Sequence, residues 1–450
     1  MTLALNYGMA RASVGAGGQL VNLYAQSAAL GAKDDVMLVG APGTREFATL
    51  YDGDTRDGNV NAMFAAFGKI VVITDLAMYF VSEDGSVERI SEAGLPGKVS
   101  MAFNRTDVVA TNGTYAYWIN DDSVTLVSEP DFYPTDSATF LDGYLIFNRK
   151  GTGQVFCSGL YSRDFAGLDF ADAEKAPDNT VGVLAVGDNL FIFGQESTEV
   201  WYNAANTAGF PFSRVSGAVY EHGCASMQTA AQSGGAVFWL SSAGQVVQVA
   251  GLQPQRISDE AVEAALTERR AQWADARAYF YTDEGHAFYV LTVGNLTVAY
   301  DLATGYWHQR ANYSRGCAIG RCYVNAWGRH FLGDDRGRIL ELTSTVYEDA
   351  GEPLVAEVVT IPYTSDRKHL PIGMIEVEFD TGKGGLVLLS VSKDGGRSWS
   401  ASRAASLGGA GEYRRRVRWR KLGARLDHRF RLRISDPIAR RLLSKAEVTT

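Results

Sequence analysis

The residues of this chain best suited to recognition chemistry are arginines. Residues 414–421 read Arg-Arg-Arg-Val-Arg-Trp-Arg-Lys. Side chains of a strand alternate between its faces, so Arg414, Arg416, Arg418 and Arg420 share one face, and Arg415, Val417 and Trp419 share the other. Arg429, Arg431 and Arg433 repeat this alternation against Phe430, Leu432 and Ile434. If the two strands pair, their cations form one Arg-rich sheet face. A guanidinium is a planar, permanently charged fork that matches carboxylate and phosphate. The expected role is therefore binding of a partner, either an acidic protein surface or DNA phosphates, with a merely solvated face as the alternative.

A second motif is SKDGGRSW at residues 392–399. It resembles the Asp-box of sialidases and related propellers, a folding motif whose Asp and Gly form a hairpin turn with a Trp packed behind it. Ser392, Asp394, Gly396 and Trp399 occupy its positions. A single copy reads as a structural turn in which the Asp bonds its own backbone. Other chemistry finds no place. The sequence contains no G-x-S-x-G, H-E-x-x-H or P-loop. His222 lies close to Cys224 in sequence, but nucleophile pairs are assembled in space. Cys317 and Cys322, with His308 and His330 nearby, lack a recognised zinc spacing. Four cysteines in 450 residues make no disulfide framework and are expected to be reduced thiols. No catalytic residue, cofactor or metal is expected.

The elements that must position these residues are strands. Gly is abundant at 48 residues, and Tyr and Phe contribute 21 each. Short β-branched and aromatic runs end in turn residues, as where Val237–Leu240 and Val246–Val249 flank Ser241–Gly244. The unit holding these runs spans Gln228 to Ile257 and has room for four strands. Similar units start roughly every 40 residues from about residue 59, near the period of a propeller blade. Turns such as Asp84-Gly85, Asn112-Gly113 and Asp142-Gly143 punctuate them. Radial repetition of this kind leaves only short sheet edges. The expected fold class is all-β. It comprises an N-terminal arm over 1–58 with a few strands that could pack with the C-terminal domain, a β-propeller of six or seven blades over 59–347, and a C-terminal β-sandwich-like domain over 348–450. One helix is expected from Ser258, as N-cap, to Asp275. Residues 348–353 read as a polar connector open to proteases.

Net charge is -9 but unevenly spread. Residues 351–450 hold 19 Lys and Arg against 11 Asp and Glu, leaving 23 against 40 in residues 1–350. Such asymmetry points to a charged partner rather than to a fold requirement. No apolar run is long enough to span a membrane, so no membrane insertion is expected. The first residues carry no targeting pattern.

Several segments resemble the tail hub (nozzle) family of short-tailed bacteriophages, also called packaged DNA stabilisation proteins. They are QLVNLYA from Gln19 with Ala41-Pro42-Gly43, KVSMAF from Lys98, and VLAVGDNLFIFGQESTEVWY from Val183. FPFSRVSGAVYEHG from Phe210, RVRWRKLG from Arg416 and Phe430–Ile434 complete the set. Their order spans nearly the whole chain. The resemblance implies a non-enzymatic virion protein built on a β-propeller. It would be a homo-hexamer forming a ring below the portal adaptor and continuing the DNA channel, with double-stranded DNA passing transiently and without sequence readout. A tail fibre or tailspike would attach at the flank and a needle or tip protein at the end. Such a protein resides in the virion tail and assembles in the host bacterial cytoplasm. The rival reading is a sialidase-like or glycan-binding β-propeller.

Overall fold

The computed structural model of the chain describes residues 2–5, 18–27, 36–52, 55–173, 178–207, 209–364, 368–443 and 445–449. Strands dominate, and seven four-stranded antiparallel blades surround one axis. The first blade contains Val60–Ala66, Lys69–Thr74, Met78–Val81 and Val87–Ser91, in order from the axis outward. Its first hairpin turns at Phe67 (φ 56°) and Gly68 (φ 70°), and the third blade turns alike at Asp142 and Gly143. Two consecutive positive φ values give the tight turn whose twist matches that of paired strands.

Six blades take four consecutive strands each. The seventh holds only three, Cys322–Ala326, Arg329–Gly333 and Arg338–Thr343, before the chain leaves the ring. Its outermost strand is Gly43–Thr49, antiparallel to Arg338–Thr343. The ring closes where a Cβ on Gly333 would stand 2.5 Å from Val60, so blades one and seven meet without room for a side chain. Charge fastens the closing strand. Arg45 and Arg329 both donate to Glu341, at 2.7 and 2.8 Å. Their hydrogen bonds push its carboxyl down to about 2.

The C-terminal unit is a two-sheet sandwich. In one sheet, Leu370–Phe379 lies between Arg415–Arg425 on one side and Arg441–Leu443 with Lys445–Thr449 on the other. Thr2–Ala4 pairs with Lys445–Thr449, and Val36–Gly40 joins Arg441–Leu443 to Leu23–Ser27. The other sheet runs Gln19–Val21, Ala356–Val359, Asp427–Ile434, Leu386–Ser392 and Arg403–Ser406. Ile375, Val377, Val417, Trp419, Phe430 and Leu432 meet in the core between them. The described part of residues 1–58 is thus divided between both units; residues 6–17 and 28–35 lie outside the description.

The two units share backbone. Gln19–Val21 also pairs in parallel with Trp307–Arg310 of blade six, at Val21 and Gln309. Tyr24 and Val39 sit in one apolar cluster with Phe288, Ala299, Leu340 and Leu342 of blades six and seven. Buried Arg440 donates from Nη2 to the Tyr347 carbonyl at 2.9 Å. The expected open connector is instead a short hairpin, Glu348–Asp349 against Glu352–Pro353. Asp349 is buried and accepts from Thr44 at 2.6 Å and Asn312 at 2.8 Å. Those side-chain bonds tie the hairpin to the closing strand at Thr44 and to Asn312 after blade six.

The helix also differs from expectation. It runs Glu260–Thr267 with Asp259 as N-cap, and Arg270–Asp275 is a separate 3-10 turn. Ser258 Oγ is already committed, accepting from Val246 N and donating to Glu263. The Leu266 carbonyl accepts from both Arg269 N and the Trp273 indole, which satisfies the helix end and terminates it.

Candidate assembly interface

Arg415–Arg425 alternates as expected from Arg416 to Arg420, and a register shift against Ile372–Met374 then resets the phase at Lys421, whose φ is 58°. Val417, Trp419 and Leu422 are buried in the sandwich core, while Arg416, Arg418 and Arg420 project outward. The Trp419 indole donates to the Arg403 carbonyl at 3.0 Å and fixes the strand against its neighbour. Arg414 precedes the strand and is exposed.

The strand opposite carries a matching alternation. Glu376 faces Arg418 and Glu378 faces Arg416 across the ladder. Arg418 forms an ion pair with Glu376, and Arg416 approaches Glu378 at 3.3 Å and Glu376 at 3.8 Å. Directly opposed charges are the pairs that stabilise a sheet. Met374 faces Arg420. Among the described residues no ion pair engages Arg414 or Arg420. The row is therefore half neutralised within its own chain. Sequence reasoning missed the two glutamates, although Glu376-Val377-Glu378 shows the same period of two as the arginines.

Arg429, Arg431 and Arg433 do not join this row. Their strand, Asp427–Ile434, pairs with Ala356–Val359 and Leu386–Ser392 in the other sheet. Because Val417, Trp419, Phe430 and Leu432 all point into the same core, the two sets of arginines project from opposite faces of the sandwich. The single Arg-rich face expected from pairing of the two strands does not form. Arg433 pairs with Glu357 at 2.5 Å. The Arg431 guanidinium lies over the Trp399 ring, 4.6 Å from its centroid. Arg429 is buried, with its side chain beside Gly396.

These contacts bring the second motif into the same neighbourhood. Ser392 Oγ donates to Asp394 at 2.8 Å and accepts from Gly396 N at 2.8 Å. Asp394 also accepts from Ser398 N at 2.8 Å and from the Ser398 hydroxyl. Gly395 and Gly396 have φ of 74° and 90°, which the turn requires. The hydrogen bonds from Ser398 and Ser392 hold the Asp394 carboxyl well below the usual carboxylate range. An acid with its oxygens so committed is a turn element. Trp399 and Arg431 then brace the hairpin against the sheet.

The four cysteines are free thiols. Burial pushes Cys157, Cys224 and Cys322 up to about 12, so none is an activated nucleophile. Among the described residues no group of His, Cys, Asp and Glu is arranged to hold a metal, and no helix is long and apolar enough to cross a membrane.

Comparison with known proteins adds family information. Chains of similar structure include the computationally designed Ika8 protein, with 11% identity, a TM-score of 0.40, and coverage of 66% of this chain and 99% of that one. Another is an inactive variant of virginiamycin B lyase from Staphylococcus aureus, with 11% identity, a TM-score of 0.47, and coverage of 67% and 99%. BamB from Moraxella catarrhalis has 10% identity, a TM-score of 0.42, and coverage of 71% and 93%. No curated protein sequence matches the chain. Two family models do. One, described as the β-propeller of bacteriophage P22 Gp10, matches residues 16–347, and the other, described as its β-sandwich, matches residues 359–450. Matched in series over most of its length, the chain belongs to the bacteriophage P22 Gp10 family, the tail hub or nozzle proteins of short-tailed phages.

Proposed function

We propose that this chain is a non-enzymatic tail hub that assembles as a homo-hexameric ring below the portal adaptor. The ring continues and closes the DNA channel and anchors the tail fibre or tailspike and the needle or tip protein. It is assembled in the host bacterial cytoplasm and carried in the virion tail. The observation that carries this reading is the match of both P22 Gp10 units, propeller then sandwich, along one chain.

In this reading the arginines serve protein contacts. Arg414 and Arg420 have no in-chain ion pair among the described residues, and the acidic balance of residues 1–350 offers carboxylates on neighbouring copies. Arg429, Arg431 and Arg433 mainly brace the second sheet and its turn. A dense Arg lining facing the DNA channel would hold phosphates by counterion release and slow a polymer that must slide. The glycan-binding alternative draws no support from the turn, whose Asp394 is spent on Ser392 and Ser398.

Native mass measurement of the purified protein, with imaging of particles, tests the proposal. A six-fold ring at the portal vertex is the expected result. A monomer that hydrolyses or retains a sialoside would replace the hub reading with the glycan one.

A further inference from the structure

The inner strands of six blades, with the 3-10 turn Met227–Thr229 and Ala230 that lead into the inner strand of blade five, line one axial cavity of about 250 Å³. Two arginines face it. Arg277 opens the inner strand of blade six, and Arg321 immediately precedes the inner strand of blade seven. In each, Nε is buried without a hydrogen-bond partner, and among the described residues neither side chain forms an ion pair. No Asp or Glu lines the cavity. The nearby carboxylates are occupied elsewhere. Asp335 takes two bonds from Arg315, at 2.6 and 2.8 Å, and Asp334 takes Arg338 at 2.8 Å. Of the other polar lining groups, Asn61 donates to Asp75 and Leu95 while its buried Oδ1 has no partner, and Gln228 donates to the Val99 carbonyl.

We infer that this axial cavity binds a small oxyanion, of the phosphate or carboxylate class, between Arg277 and Arg321. Two half-buried guanidinium groups, each with a buried Nε that lacks a partner, are unfavourable side by side unless a counter-charge reaches them. Burial and the charge of Arg321 both hold the Arg277 guanidinium below its ordinary range. Guanidinium forks bind oxyanions through paired, charge-assisted hydrogen bonds. The cavity has room for one such group and far too little for a nucleic acid strand. The site belongs to the axis of a single chain, so it is independent of ring assembly.

Isothermal titration calorimetry on the full chain, at constant ionic strength, tests this with inorganic phosphate and with citrate. Saturable binding of at least one probe is expected, weakened at least tenfold in Arg277→Gln and in Arg321→Gln. Preference for phosphate or for citrate identifies which oxyanion the site takes. Absence of binding by both, or equal binding by wild type and both variants, overturns the inference. If the variants fail to fold, the wild-type melting temperature decides. A rise with phosphate or citrate beyond that in sodium chloride of equal ionic strength supports the site, and no such rise overturns it.

Discussion

Blade four is made of strands that follow one another between residues 180 and 220, whereas the last described strand of the sandwich, Lys445–Thr449, pairs with Thr2–Ala4. Blades are chains of local hairpins that owe little to distant sequence. The sandwich takes strands from both ends of the chain, and at blade seven the propeller does the same. Local pairing costs little loop-closure entropy and forms early, while distant pairing must wait until enough apolar surface is buried to offset that cost. The N-terminal residues are therefore the joint on which both units depend, and the sharpest experiments act there.

The largest effect is expected from truncation. Deleting residues 1–42 removes the N-terminal sandwich strands but leaves Gly43–Thr49 to close the propeller. Deleting residues 1–50 removes both. The shorter deletion should retain a propeller-sized, protease-resistant fragment, whereas the longer one should lose cooperative melting altogether. Equal melting of the two variants by circular dichroism would show that the closing strand contributes nothing.

Gly43→Val isolates the same joint with one side chain. A Cβ there would stand 2.3 Å from the Glu348 carbonyl and 2.6 Å from that of Val346, both backbone atoms that cannot swing aside. Loss of about 3 kcal/mol is expected from forced displacement of the hairpin. Denaturant titration measures it. A change under about 0.5 kcal/mol, the range of ordinary surface substitutions, would mean that the hairpin yields freely.

What the sequence revealed follows the same division. The blades were legible because Asp142-Gly143 and strands such as Val237–Leu240 carry their signals within a few residues. The strand alternation of Arg416, Arg418 and Arg420 was legible for the same reason. The partners were not. Nothing near Arg416 indicates that its strand pairs with Leu370–Phe379 and not with Arg429–Arg433, because register is set by which apolar face meets which core. Nor could the three strands of blade seven announce that their fourth lies about 300 residues upstream, where a loop-closure cost grows only slowly with length. The helix was overextended because its 3.6-residue pattern continues to Trp273, while the indole that ends it acts through a tertiary bond.

A smaller effect is expected from Glu341, the acid that ties Arg45 of the closing strand to Arg329. Its folded carboxyl titrates at about 2, below an unfolded value of about 4.3. The contribution is thus fully present above the unfolded value and is lost as pH falls through the folded one. Arg45 is largely exposed, which discounts the pair to about 1 kcal/mol. Glu341→Gln should lower the melting temperature at pH 7, and its difference from wild type should vanish toward pH 2. A difference that stays constant across this range would assign the loss to packing instead of charge.

The smallest stability effects, and the most informative ones for assembly, concern the outer row of the sandwich. Arg416 and Arg418 pair with Glu378 and Glu376, while Arg414 and Arg420 have no ion pair among the described residues. Arg416→Ser with Arg418→Ser leaves Glu376, only 7% exposed, without its cations. Both arginines are half exposed, so about 1 kcal/mol is the expected loss. Arg414→Ser with Arg420→Ser removes no in-chain pair and should change stability by less than about 0.5 kcal/mol. Assembly should show the reverse order. In the proposed ring the outer pair would offer unspent forks to carboxylates on a neighbouring copy, so its loss should weaken ring formation, with added salt weakening the ring further by screening the remaining pairs. Chemical denaturation and native mass measurement on both double variants separate the two roles. If the Arg416 and Arg418 variant assembles as poorly as the other while remaining as stable as wild type, the in-chain pairs do not hold the sheet, and the whole row acts as one interface. If both variants assemble fully but DNA ejection from particles changes rate, the arginines face the DNA channel and the protein-contact role fails.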